Sequence, residues 1–435
     1  MKRCVGVSAV AAALVCSAVG VVSYAQEGAP APQPNVSDIF LPDQLRAIAR
    51  LSPLGEPPVD ESNAVSDNPI AALLGQRLFF EPSLSYMGGI SCFTCHSPNR
   101  GFSDGKEISI GEGLGERNSP TLWNVAYNRW MYWDGRGDSI WSQALGPMEN
   151  MAEMGSTRNR VVRAVVNHPV LKLQYEIIFG DLPEMNDLAR FPIDASPTEM
   201  DDGGVALRGW QQMSAADQNE VNEAFVNVGK AIAAYERLLV SKNSRFDVFV
   251  EGLREGDAQK VNALNAQEMR GLQLFVDEAG CVRCHSGPNF TDGAFHNNRV
   301  PPLEGGEPKD SGRFGGIEKL LESDFTRDGA YSDAPQSAPD HSRLVNGSHN
   351  WGAFKVPTLR NIELSAPYMH QGQFKTLKGV LHHYNTLENA TALGHHSQEQ
   401  ILNPLGLEDA DIDAIEAFLR SLTDVSIDPA LLRRP

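Results

Sequence analysis

Cysteine is scarce in this chain of 435 residues, with six in all. Cys4 and Cys16 fall in an amino-terminal stretch that reads as a secretory signal. Lys2 and Arg3 precede an apolar run from Val5 to Val22, and Ser23-Tyr24-Ala25 forms a small-residue cleavage site. That run is short and interrupted by small residues, which argues against a membrane anchor. Cleavage after Ala25 would leave Cys92, Cys95, Cys281 and Cys284. All four stand in two short motifs, so none remains for the disulfide framework common in exported proteins. Basic charge is also scarce: 37 Lys and Arg against 55 Asp and Glu give a formal net charge of -18. This excludes the basic face that nucleic-acid phosphates demand. It suits either plain solubility or electrostatic steering of a basic soluble partner. Long low-complexity tracts are absent, and a hydrophobic fraction of 41% fits a globular chain with a substantial core.

The two motifs are Cys92-Phe93-Thr94-Cys95-His96 and Cys281-Val282-Arg283-Cys284-His285. Paired cysteines followed at once by histidine form the attachment signature of a c-type haem. The thiols add to the porphyrin vinyl groups and the histidine ligates the iron. The adjacent histidine argues against a zinc site or a redox dithiol. Two covalent haems are therefore expected, with Cys92, Cys95 and His96 holding one and Cys281, Cys284 and His285 the other.

The surroundings repeat. Leu78-Phe79 and Phe102-Ser103-Asp104-Gly105 flank the first motif as Leu274-Phe275 and Phe290-Thr291-Asp292-Gly293 flank the second. Apolar spacing predicts helices over 67–80, 221–240, 266–276 and 409–422. The expected fold class is mostly α, with two cytochrome c-like haem domains and extensive loops. The expected boundaries are a signal peptide over 1–25 and a Pro/Ala-rich leader over 26–66. A first haem domain follows over 67–165, completed by a C-terminal helix within 398–435, and a second haem domain over 166–397. Residues 300–350, rich in glycine, proline and turn signals, read as a long surface excursion.

Further stretches carry a family resemblance. They are Leu74-Gly75 through Phe80, Arg117 to Thr121, Trp133 to Arg136, Gln143, Gly146-Pro147, Glu153-Met154, Val356 to Asn361 and Pro367 to His370. In order and over most of the chain, they resemble the bacterial di-haem cytochrome c peroxidases and their MauG-like relatives. The resemblance implies a periplasmic enzyme whose N-terminal haem reacts with peroxide while the C-terminal haem exchanges electrons. It makes His96 the proximal ligand of the reactive haem, with Gln143 and Glu153 lining the distal pocket and Pro147 over the open iron position. Trp133 would relay oxidising equivalents between the haems, and His370 would hydrogen-bond near a haem edge. Asn118 matches an asparagine that binds calcium in the family.

Two positions separate subtypes. Glu112 stands where peroxidases that need reductive activation carry a capping histidine, which implies an open, high-spin reactive haem at rest. Tyr384 stands where the second haem takes its distal ligand, as in the MauG-like branch, with His382 and His383 as rivals one or two residues away. The implied partners are hydrogen peroxide and a small redox protein donor or a protein substrate, with no nucleic acid and with homodimer formation as an option. The leading expectation is reduction of hydrogen peroxide with electrons from a protein such as cytochrome c. The alternatives are a MauG-like oxidase that modifies aromatic residues of a partner protein, and a non-enzymatic di-haem electron-transfer cytochrome.

Overall fold

The computed structural model describes residues 36–435 except 199, 201–202, 338–340, 392–401 and 425. The signal and leader residues 1–35 lie outside the described residues. What is described is mostly α-helical; its one sheet is a two-stranded antiparallel ribbon, with Phe295 opposite Lys355 and His296 opposite Phe354. No described helix is long and apolar enough to cross a membrane.

The helix Pro69–Phe79 begins at Asn68, whose side chain accepts from the Ile70 and Ala71 amides, with proline in the first turn. Its apolar face packs on the long helix Ala215–Glu236. The contact is close because Gly75 lies against the backbone there: a Cβ would overlap the Ala231 carbonyl oxygen. The helix Ala266–Val276, capped by Asn265 and Glu268, packs in the same way on Asp409–Arg420, where Gly271 meets the Ala414 carbonyl.

The duplication runs further than the sequence suggested. Pro120-Thr121-Leu122-Trp123-Asn124 and Pro357-Thr358-Leu359-Arg360-Asn361 do the same work in the two halves. Thr121 Oγ1 donates to the Gly101 carbonyl at 2.6 Å, and Thr358 Oγ1 to the Asn289 carbonyl at 2.7 Å. Asn124 and Asn361 both take positive φ, 59° and 58°. Their amides reach the carbonyls of Leu239 and Leu422, just beyond the two partner helices. The halves differ where Trp123 is matched by Arg360. That guanidinium is fully buried and held by Asp247 in two bonds of 2.8 and 2.9 Å.

These pairings correct the expected boundaries. The C-terminal helix does not complete the first unit: Ile412, Ile415 and Phe418 sit in the core with Phe275 and Phe290. Only the tail after it returns, where Ile427, Leu431 and Leu432 pack near Phe79 and Trp123. Residues 166–236, assigned to the second unit, instead supply Leu171, Tyr175, Phe225 and Ile232 to the first core. The described part of the leader is also committed, with Phe40, Ile48 and Leu51 buried in the second core. Nor is 300–350 a plain surface excursion. It carries the helix Arg313–Leu321, and buried Arg313 donates to the Gly135 carbonyl at 2.6 Å.

Because the two glycines allow helix-on-helix contact with no space for a methyl, Gly75→Ala and Gly271→Ala should each destabilise by about 3 kcal/mol. Gly55→Ala, with open space at its Cβ, should stay within about 0.5 kcal/mol. Thermal unfolding of the three variants measures the contrast, and equal melting temperatures would contradict it.

Candidate haem site

One cavity of about 610 Å³ is lined by residues of both motifs, among them Cys95, His96, Cys281, Cys284 and His285. Cys92–Cys95 forms a single helical turn that brings His96 back over it, the His96 amide donating to the Cys92 carbonyl at 2.9 Å. The second motif closes the same way, His285 onto Cys281 at 2.9 Å.

Each imidazole is fixed by its own loop. His96 Nδ1 lies 3.0 Å from the Phe102 carbonyl oxygen, and His285 Nδ1 lies 3.0 Å from that of Phe290. Phe102 and Phe290 are fully buried and hold positive φ, 56° and 52°. That left-handed conformation is strained for a phenylalanine and turns its carbonyl back to the histidine. A carbonyl only accepts, so Nδ1 carries the hydrogen and the Nε2 lone pair is left free to ligate. Burial pushes both imidazoles below their ordinary pKa, which keeps them neutral and competent as ligands. Ser119 adds a second anchor, its Oγ donating to the Cys95 carbonyl at 2.8 Å and lying 3.2 Å from His96 Nδ1.

The four cysteines form no disulfide. Burial pushes Cys95 up to about 11 and Cys281 up to about 12, and raises Cys92 as well. Such thiols stay protonated at neutral pH, unlike the thiolates of a zinc centre or a reactive dithiol. A large cavity, two oriented neutral imidazoles and two pairs of unbridged cysteines fit two c-type haems.

Around the first histidine the structure gathers Gln143, Pro147 and Glu153 at the cavity wall. Gln143 and Pro147 project from the helix Ile140–Glu149, which Ser139 caps. Glu153 follows in the turn beyond, its carboxylate accepting from Asn150 Nδ2 at 2.7 Å. Burial raises the Glu153 pKa, against the pull of Arg136 and the Asn150 bond. Glu112 is not in the cavity wall. Its side chain is exposed and accepts from the Met87 amide at 3.2 Å, while its own amide holds the Glu153 carbonyl at 2.8 Å.

Trp133 lines the cavity; its indole donates to the Asn118 carbonyl at 2.9 Å and its carbonyl accepts the Lys355 amide at 2.8 Å. Asn118 is buried, and its side-chain amide donates to the Lys106 carbonyl at 2.6 Å. His370 is buried flat against Phe354, ring centroids 3.7 Å apart, and burial pushes its pKa down to about 4.

On the second side, Tyr384 in the helix Leu377–Thr386 lines the cavity. Burial pushes its phenol up to about 12, while Asn298, whose amide lies 3.5 Å from the hydroxyl, pulls the other way. The rivals are turned elsewhere. His383 is buried with Nε2 3.0 Å from the Asn298 carbonyl, and neither it nor His382 lines the cavity.

Two titratable groups at the site, one buried and one half-buried, escaped the sequence reading. Glu236, at the end of the long helix, lies in a small recess with Cys92, Gln143 and Glu153. One of its oxygens has no hydrogen-bond partner, and burial pushes its pKa up to about 8. Lys355 is half-buried at the cavity wall, and desolvation pushes it down to about 8. The signal for Glu236 was available: a carboxylate closing the apolar run Ala231 to Tyr235. Lys355 carried none.

Known proteins resemble this chain. The family model for the di-haem cytochrome c peroxidase matches residues 69–255. The cytochrome c551 peroxidase of Pseudomonas aeruginosa is 30% identical over 357 residues, spanning 80% of this chain and 78% of that protein. The methylamine utilization protein MauG of Methylorubrum extorquens is 30% identical over 329 residues, 75% of this chain and 71% of that one. Among solved structures, the diheme peroxidase BthA of Burkholderia thailandensis covers 87% of this chain and 92% of its own, with a TM-score of 0.61 and 23% identity. With both motifs intact, the chain is an oxidoreductase carrying two covalent c-type haems, and it belongs to the di-haem cytochrome c peroxidase family.

Proposed function

We propose that the protein reduces hydrogen peroxide to water at the first haem, using electrons from a small redox protein, in the periplasm. Two cytochrome c-like haem domains carry this division of labour. The observation that supports it is the placement of Glu153, with Gln143 and Pro147, in the wall of the cavity that His96 enters. Haem held there by Cys92, Cys95 and His96 would supply the redox chemistry of peroxide reduction.

The chain's own residues handle the protons. Reduction of peroxide consumes two electrons and two protons and yields two waters. The Glu153 carboxylate accepts a proton from bound peroxide and returns it to the departing oxygen, as general base and then acid. Its raised pKa makes it a better base than an exposed carboxylate and easier to reprotonate. Gln143 holds the peroxide without titrating. Pro147 presents a wall without an ionisable or ligating group beside His96, so it would leave room for peroxide at a haem held there. Glu112, turned out to the Met87 amide, offers no cap there. Trp133, in the wall of the same cavity, relays oxidising equivalents between the haems.

Tyr384 favours a second reading. A tyrosinate ligand stabilises ferric iron and lowers the potential of the second haem. Such a haem suits oxidation of a partner protein's aromatic side chains, the MauG-like activity, better than uptake of electrons from an ordinary cytochrome c. Steady-state peroxide turnover with reduced cytochrome c tests the first reading, and absence of turnover would favour the second.

Three outcomes follow from these roles. Glu153→Gln should lower the peroxide rate by about 10²-fold or more with haem content unchanged; unaltered kinetics would remove Glu153 from the mechanism. Because the carboxylate must be ionised to accept the proton, the rate should fall on acidification, with its midpoint above the ordinary glutamate value of about 4.3. A midpoint at or below that value would contradict the raised pKa. Tyr384→Phe should abolish the low-spin signal of the second haem and raise its potential; an unchanged spectrum would rule out the tyrosine ligand.

A further inference from the structure

Reduction of hydrogen peroxide takes up two protons, and Glu153 supplies neither. It lifts a proton from one peroxide oxygen and returns it to the other, which leaves as water once the O–O bond breaks. The oxygen that stays behind takes two electrons from the donor and two protons before it leaves as the second water. Glu153 is ionised again at that point, so a neighbouring acid is needed to load it.

Glu236 is placed for this. It is 4% exposed and is the last residue of the helix Ala215–Glu236, the end of the dipole that disfavours negative charge. Its recess, of about 40 Å³, is lined also by Cys92, His96, Gln143, Pro147 and Glu153. Oε2 of Glu236 is buried and has no hydrogen-bond partner. Buried polar atoms are seldom left unpaired, and one that is marks a place for a bound water or a proton. The recess exceeds the roughly 10–15 Å³ that one water needs, and Glu236, Glu153 and Gln143 offer a water there polar partners.

No cation offsets the carboxylate. Glu236 forms no ion pair among the described residues, and Arg237 beside it is turned to Asp67 at 2.8 Å and the Pro58 carbonyl at 2.9 Å. On the packed helices, Arg77 donates to the Pro435 carbonyl at 3.2 Å, and Arg158, Arg160 and Arg163 are held by Glu149, Asp194 and the Phe191 carbonyl. Tyr235 donates its hydroxyl to the Leu431 carbonyl at 2.6 Å. With Cys92, Cys95 and His96 committed to haem, Glu153 is the other acid in the recess. Burial therefore acts alone on Glu236 and pushes it up to about 8, so it holds its proton at neutral pH.

We propose that Glu236 is a proton store for the first site, which reloads Glu153 through a water in the recess. This role rests on the peroxidase reading and adds a second acid to it. Glu236 gives up one of the two protons, the other enters from solvent through the large cavity, and Glu236 regains its own from solvent between turnovers. Acting through Glu153, it governs the uptake of protons with electrons and leaves the preceding O–O cleavage alone. The supply is full well below pH 8 and fails as pH rises through about 8, which gives the rate an alkaline limb opposite the acid limb of Glu153.

The test uses the haem-loaded protein with ascorbate as reductant, and rapid mixing separates O–O cleavage from the reduction that follows. Glu236→Gln should slow the reduction step about tenfold at neutral pH and remove its alkaline limb, while cleavage stays within twofold. Glu236→Asp should restore part of the rate and the limb. In the infrared, the unaltered protein should show a carboxylic-acid C=O band that fades as pH rises through about 8 and is missing from Glu236→Gln. Absence of that band from the unaltered protein overturns the proton store even where neither variant folds. So does equal slowing of both steps, the mark of a structural defect, or a limb or band that survives in Glu236→Gln. In each of these cases the peroxidase reading stands. If the unaltered protein turns over no peroxide with ascorbate, that reading falls and the proton store with it.

Discussion

A hydrogen bond from an imidazole to the carbonyl of a strained phenylalanine fixes each haem site. Nδ1 of His96 and of His285 sits 3.0 Å from such a carbonyl, so each ring has one orientation and one free nitrogen. The phenylalanines keep positive φ because everything around them is packed: both are fully buried, and a threonine hydroxyl grips the carbonyl just before each one. Those threonines belong to the Pro-Thr-Leu segments, whose asparagines are tied to the ends of the long partner helices. The helices in turn are seated by Gly75 and Gly271. The chain of constraint runs from helix contact to loop, from loop to carbonyl, and from carbonyl to the ligating atom.

From one scaffold used twice, two different sites arise through what faces the histidines. The first has a glutamate whose burial raises its pKa, a glutamine and a proline. The second has a tyrosine whose hydroxyl lies near an asparagine amide. Buried Arg360 and Asp247 in the second half stand where the first half has Trp123, so the scaffold itself tolerates exchange of an apolar side chain for an ion pair. The former surface excursion adds a brace: Arg313 donates to Gly135, and Asp310 holds Arg117 by two bonds of 2.8 and 2.7 Å beside the Trp133 segment.

Much of the site was legible because its chemistry is written in short motifs. Local spacing carried the C-x-x-C-H pairs, whereas Gln143, Pro147 and Glu153 were legible only through the family resemblance of the motifs around them. The repeat was legible only in part. Phe102 and Phe290 follow their histidines by six and five residues, whereas Thr121 and Thr358 lie at widely unequal distances and escape a simple alignment. The pairing of helices was not legible at all. Amphipathic spacing shows that 215–236 and 409–420 have buried faces, but which partner each meets depends on glycine seats far away in the chain. That is why the C-terminal helix was assigned to the wrong half. Likewise nothing local distinguishes Tyr384 from His383: the difference is that Asn298, eighty-odd residues earlier, occupies the histidine through its carbonyl.

Under the proposed function, His96 and His285 would hold the two haems alike, Tyr384 would supply the second haem's other ligand, and no side chain would supply one to the first. Electron paramagnetic resonance of the resting ferric protein addresses it directly by counting spin states. The account predicts one high-spin and one low-spin haem per chain in equal amounts. Two low-spin haems would contradict it and return the protein to the class of simple electron carriers.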